Sequence, residues 1–89
     1  MARYHRRPNE NPVAPESNPA RLLQLGMLYS TGRSVPADVV SAHKWFNLAA
    51  MLGNPDATRL RQEIADQMSK DEIALAQRAA RDWVKVTLH

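Results

Sequence analysis

The sequence has no cysteine among its 89 residues, only three glycines, and five aromatic residues other than histidine: two Trp, two Tyr and one Phe. The absence of cysteine excludes disulfide bonds, a thiolate nucleophile and cysteine-ligated zinc. Three scattered glycines also exclude a glycine-rich phosphate-binding loop. Enzymes built on these chemistries are therefore not expected, and the composition is compatible with a reducing compartment.

Long apolar runs are also missing. A membrane-spanning helix needs about 18 successive apolar residues, and the basic start at residues 1–7 leads into Pro8, Asn9 and Glu10 instead of the apolar stretch of a secretory signal. Apolar residues still make up 44% of the chain and charged residues 24%, which is typical of a folded domain. One small cytoplasmic domain is the expectation.

The net charge of +3 is spread thinly along the chain. Residues 1–17 carry three Arg and two Glu, or +1, and residues 18–89 carry nine basic and seven acidic residues, or +2. The first segment also holds Pro8, Pro12 and Pro15 and few large apolar side chains, so it cannot bury enough surface to offset the entropy lost on ordering. Residues 1–17 are therefore predicted to be a disordered, proline-rich basic tail.

Apolar residues recur with helical spacing from Asn18 onward and predict four helices, at about residues 19–31, 36–52, 55–68 and 70–86. The start signals are Asn18-Pro19, Pro36 with Asp38, Asn54-Pro55, and a capping box of Ser69 with Glu72. Gly32 and Gly53 follow the first two helices, where a left-handed cap favours glycine. No strand pattern competes, so an all-α domain is expected over residues 18–89, with the second helix the most deeply buried.

Small and aromatic residues recur at fixed spacing across the first two predicted helices. They are Leu25, Gly26, Tyr29, Gly32, Val35, Asp38, Ala42, Trp45, Phe46, Ala49, Ala50, Gly53 and Ala57. This set resembles the pattern LGxxYxxGxGVxxDxxxAxxWYxxAAxxGxxxA of the Sel-one-like repeat (SLR) family, which is related to tetratricopeptide repeats. One nearly complete repeat is thus identified at residues 25–57, although Ser34 replaces a loop glycine and Arg21 replaces an alanine.

The resemblance implies two antiparallel helical hairpins stacked with right-handed geometry, the third and fourth helices forming a degenerate or capping unit. It also implies an adaptor or small accessory subunit that binds another protein through a groove between hairpins. Because repeat arrays need about three repeats to be stable alone, association with a second copy or with a larger partner is expected.

Several positions are expected to form the core. Gly26 opposite Ala42, Ala49 and Ala50 would let the first two helices approach closely. Trp45 lies in an apolar stripe and is assigned to the core. Trp83, near the end of the chain, is left open between a core residue and an interface anchor.

Two groups of residues are candidates for partner binding. The residues expected to be exposed near the groove are Tyr29, His43, Lys44 and Asn47. On the fourth helix the candidates are Arg78, Arg81 and Lys85, which share one helix face and suit an acidic partner, together with Trp83. The alternative interpretation of the charged residues on the fourth helix is a solvated outer face. His43, on the second helix, is expected to be at the surface or half-buried.

A basic arm in the tail supports an alternative function. It consists of Arg3, Tyr4, Arg6 and Arg7, which could contact phosphates in a nucleic-acid or anionic-surface accessory protein. The modest net charge and the lack of a sustained basic helix favour the protein-binding interpretation, and nucleic acid is not the expected partner.

No catalytic, metal-binding or cofactor-binding residues are predicted. The three histidines, His5, His43 and His89, are far apart in the sequence and lack neighbours at metal-ligand spacing. No pair of carboxylates lies in an apolar setting suited to general acid catalysis. The chain is therefore not expected to be an enzyme.

Overall fold

A computed structural model describes residues 18–88, and the expectations for the tail and for His89 lie outside this range. The described residues form four α-helices: α1 (Pro19–Thr31), α2 (Val39–Met51), α3 (Ala57–Ala65) and α4 (Lys70–Thr87). No strand occurs among them. The predicted all-helical fold of four helices is confirmed.

The predicted starts of α1 and α4 are confirmed by their capping hydrogen bonds. Asn18 Oδ1 accepts from the backbone N–H of Ala20 at 2.8 Å. Ser69 Oγ accepts from the N–H of Glu72 at 3.1 Å, and Glu72 Oε1 accepts from the N–H of Ser69 at 2.9 Å. These bonds satisfy N–H groups that a helix leaves without an internal partner.

The start of α2 lies three residues later than predicted, at Val39 instead of Pro36. Asp38 is the N-cap: its carboxylate accepts from the N–H of Val40 at 3.0 Å and from the N–H of Ser41 at 3.2 Å. Because an N-cap residue is itself extended, Asp38 ends the loop and Pro36 remains outside the helix.

Helix α3 is shorter than predicted at both ends, running from Ala57 to Ala65 instead of over residues 55–68. Asn54 was expected to cap it, but its side chain accepts from the N–H of Asp56 at 2.9 Å and forms a turn before the helix. An asparagine that bonds the backbone two residues ahead supports a turn as readily as a helix start.

Helix α2 occupies the centre of the fold and packs against α1, α3 and α4. Its buried residues are Ala42, His43, Phe46, Leu48 and Ala49, whereas each other helix has two. The expectation that α2 is the most deeply buried helix is confirmed. Helices α3 and α4 pack mainly on α2 and little on each other. The right-handed stacking of the hairpins stays a prediction.

Trp83 packs at the margin of the core against Trp45. The two ring centroids lie 6.2 Å apart with the planes at 84°, an edge-to-face pair. Both side chains are half-buried and contact a cluster that includes Leu48 and Ala80. Such an aromatic pair contributes about 0.5–1.5 kcal/mol beyond the free energy gained from its buried area. Trp83 is therefore part of the core margin and is not a free interface anchor.

The close approach of α1 to α2 occurs at Gly26, but its partner is Phe46 instead of the predicted alanines. A Cβ atom placed on Gly26 would lie 2.4 Å from two carbons of the Phe46 ring. Because Phe46 is 2% exposed and held between helices, the ring has little room to move. Glycine is therefore needed at position 26 for steric reasons.

Replacing Gly26 with alanine is expected to destabilise the fold by about 1–3 kcal/mol because the methyl group overpacks the contact. Helix propensity alone would favour alanine by about 1 kcal/mol, so the sign of the effect is diagnostic. Urea unfolding measures the change. In the double variant with Phe46→Leu, the loss should be smaller than the sum of the single losses. A stabilised Gly26→Ala protein would contradict this packing.

Candidate functional site

An open groove of about 570 Å³ lies between α2 and α4. The residues that line this α2–α4 groove are Asn47, Met51, Gln77, Ala80, Arg81, Val84 and Lys85. Met51, which is 57% exposed, and half-buried Val84 form an apolar wall. Arg81 and Lys85 are exposed beside it. In the described part of the chain, the lining has two cations and no carboxylate, so the groove is apolar with a positive edge.

Helical spacing explains how these side chains come together. Asn47 and Met51 are four residues apart and therefore lie on one face of α2. On α4, Gln77, Ala80 and Val84 follow the same rule. Ala80 is 2% exposed, and its small side chain lets α4 approach α2 closely enough to leave a shallow groove beside the contact.

A second depression, the polar recess, lies between α2, α3 and α4 and adjoins the groove. Its volume is about 410 Å³, and it is lined by His43, Asn47, Arg61, Gln62, Ala65, Ile73 and Gln77. Asn47 and Gln77 line both the recess and the groove. The two depressions therefore form one continuous surface with an apolar end and a polar end.

A hydrogen bond between α3 and α2 organises the polar recess. Arg61 Nη1 donates to Asn47 Oδ1 at 2.6 Å, and both side chains are partly buried. His43 lies one turn before Asn47 on α2, and its Nδ1 has no hydrogen-bond partner within the described part of the chain. Burial, and then the nearby Arg61 guanidinium, lower the pKa of His43 from its ordinary value. His43 is therefore neutral at pH 7.

The structure brings together three of the predicted partner-binding residues. Asn47, Arg81 and Lys85 all line the α2–α4 groove. Arg78 is exposed but does not line it. Tyr29, on α1, lies away from this groove. It is half-buried and packs against a core cluster of α2 and α3 residues. The predicted set is therefore divided between two sides of the molecule.

The expectation that His43 is at the surface or half-buried is wrong, because the residue is only 3% exposed. It lies on the part of α2 that both α3 and α4 cover. Lys44 is half-buried, and its Nζ lies 4.3 Å from the centroid of the Trp45 ring. Burial lowers the pKa of Lys44. Neither side chain is freely exposed in the way the sequence suggested.

Several lining residues were not identified from the sequence. Arg61 is half-buried and donates a hydrogen bond to Asn47, fourteen residues earlier. No local sequence pattern indicates a contact between two residues that are fourteen positions apart. Met51 could have been found, since it continues the four-residue spacing of His43 and Asn47 along α2.

Two further findings concern ions and membranes. Within residues 18–88, no three His, Asp or Glu side chains lie together where they could hold a metal ion. Of the helices α1 to α4, none is both long enough and apolar enough to span a bilayer.

Comparison of the chain with protein-family models, with curated proteins and with solved structures finds no match. The resemblance to the SLR family thus rests on the motif at residues 25–57 and on the helices that carry it. It stays a hypothesis.

Lowering the pH from 7.5 to about 5 is expected to destabilise the protein through His43. Its folded pKa lies below the ordinary value of 6.5, so the unfolded chain binds more protons in this range. The contribution of His43 to the free energy of unfolding is fully present above about pH 6.5. It is lost as the pH falls from there through the pKa of His43 in the folded protein. Urea unfolding at several pH values measures the loss.

His43→Gln is the matched variant for this test because glutamine is polar but does not titrate. Its stability should depend less on pH between 7.5 and 5 than that of the parent chain. An identical pH dependence in the two proteins would show that other groups are responsible.

Proposed function

We propose that this protein is a protein-binding adaptor or small accessory subunit that holds its partner in the α2–α4 groove. The observation that carries the proposal is the apolar wall of exposed Met51 and half-buried Val84 beside the exposed cations Arg81 and Lys85. Exposed apolar side chains grouped in a groove are typical of interaction sites. The SLR-like motif supports the same role, since related repeats are adaptors.

The chemistry of the groove favours an amphipathic, acidic helix as the part of the partner that is bound. A groove between two helices suits a third helix that lays its apolar face against the wall. The positive edge at Arg81 and Lys85 complements carboxylates along the side of that helix and repels basic segments. The same proposal includes a non-catalytic role, a cytoplasmic location and an SLR-type repeat at residues 25–57.

Charge reversal at the groove tests the proposal. The Arg81→Glu/Lys85→Glu variant should bind the partner at least about tenfold more weakly, because repulsion replaces attraction at the edge of the groove. The partner is first captured from nuclease-treated native lysate with the tagged full-length chain and identified by mass spectrometry. Its affinity for each purified variant is then measured.

The matched control is Arg21→Glu/Lys70→Glu, which makes the same change of charge on exposed residues of α1 and α4 that do not line the groove. This variant should keep the affinity of the parent chain within about twofold. Equal losses in both variants would point to net charge and would contradict a specific groove. Capture that disappears after nuclease treatment would favour the basic arm in the tail.

A further inference from the structure

The polar recess contains a cation, Arg61, that has no acidic partner within residues 18–88. Arg61 is half-buried, and its hydrogen bond goes to the neutral side chain of Asn47. Arg59, two residues earlier, differs: it pairs with Glu63 at 3.0 Å on the exposed side of α3. Among the described residues, no carboxylate lines the recess. Within residues 18–88, the positive charge of Arg61 is therefore uncompensated in a partly buried place.

His43 gives a second, independent observation at the same place. The residue lines the recess, is 3% exposed, and has a buried Nδ1 atom without a hydrogen-bond partner in the described chain. Buried polar atoms in proteins nearly always have such a partner. An unsatisfied imidazole nitrogen beside an uncompensated guanidinium is the arrangement expected where a ligand completes the hydrogen bonding.

We infer that the polar recess is a carboxylate-binding subsite, in which Arg61 supplies the positive charge and His43 and Gln77 supply neutral N–H donors. The inference rests on the proposed function, because the carboxylate belongs to an acidic side chain of the helix bound in the adjoining groove. Asn47 and Gln77 border both depressions, so one bound helix reaches both. Arginine suits this role because its planar fork of donors matches a carboxylate.

Binding of a carboxylate should change the pKa of His43, which a neutral molecule of the same shape would not do in the same way. Of the recess-lining residues that the structure describes, Arg61 on α3 is the one charged group, since α4 contributes the uncharged Ile73 and Gln77. Arg61 is also the second cause of the lowered pKa of His43. A carboxylate that neutralises the field of Arg61 will therefore raise the pKa of His43 towards its ordinary value.

The test uses sodium hexanoate as a probe, with hexanamide as a neutral control of the same size. Isotope-labelled full-length protein is titrated with each at constant ionic strength and followed by NMR. Hexanoate should give saturable shifts at the His43 ring and the Gln77 amide, and should raise the pKa of His43. Hexanamide should bind at least about tenfold more weakly, since it lacks the charge-assisted hydrogen bonds to Arg61.

Two variants check the assignment to Arg61. Arg61→Gln should weaken hexanoate binding at least about tenfold, whereas Arg59→Gln, the control on the same helix, should leave it within about twofold. Equal binding of hexanoate and hexanamide, or equal effects of the two variants, would overturn the subsite. If Arg61→Gln does not fold, the comparison of the two probes and the His43 titration in the parent chain decide the question.

The experiment separates two negative results: that the α2–α4 groove does not bind apolar chains, and that the polar recess does not bind a carboxylate. If the groove binds apolar chains, hexanoate should bind more tightly than acetate, and Met51→Ala should remove that advantage while leaving acetate binding unchanged. Binding of acetate and hexanoate with equal affinity would contradict the groove and leave the subsite supported. Absence of any saturable shift at the recess would overturn the subsite.

Discussion

The fold depends on the burial of one helix by three others. Helix α2 has 13 residues, and α1, α3 and α4 all pack against it. Three neighbours fit around so short a helix only where small residues reduce the distance between axes. Gly26 against Phe46 serves this purpose on one side, and the buried Ala80 serves it on the other.

The same constraint creates the candidate site. Because α3 and α4 each pack on α2 and little on each other, they leave depressions along the part of α2 that lies between them. His43 and Asn47 lie at the base of these depressions, and Met51 lies at the open end. Polar atoms are thereby buried in a place that α3 and α4 do not fully close. In the proposed function, a bound segment of a partner would complete the packing that residues 18–88 leave unfinished.

The sequence was sufficient for the number and order of the helices, but not for all of their ends or for the site. Local signals gave the starts of α1 and α4, since caps such as Asn18 and Ser69 act within three residues. At the start of α2, Pro36 and Asp38 were competing signals, and the side-chain hydrogen bonds of Asp38 decided the outcome.

Tertiary contacts account for the remaining differences. Helical periodicity shows which residues share a face, but it does not show which neighbour covers that face. The burial of His43 and the bond from Arg61 to Asn47 both depend on where α3 lies across α2. The sequence placed Asn47 among residues near a groove and Arg81 and Lys85 on one face of α4, yet only the packing of α4 on α2 shows that all three line one groove.

Photo-crosslinking from the groove tests the central claim most directly. A benzophenone amino acid replaces Met51 in one full-length protein and Leu75 in another; the two positions are 57% and 51% exposed, and Leu75 does not line the groove. Irradiation in native lysate should join the protein substituted at position 51 to one partner protein and leave the other without that product. Crosslinking to the partner from position 75 but not from position 51 would place the binding surface elsewhere and contradict the α2–α4 groove.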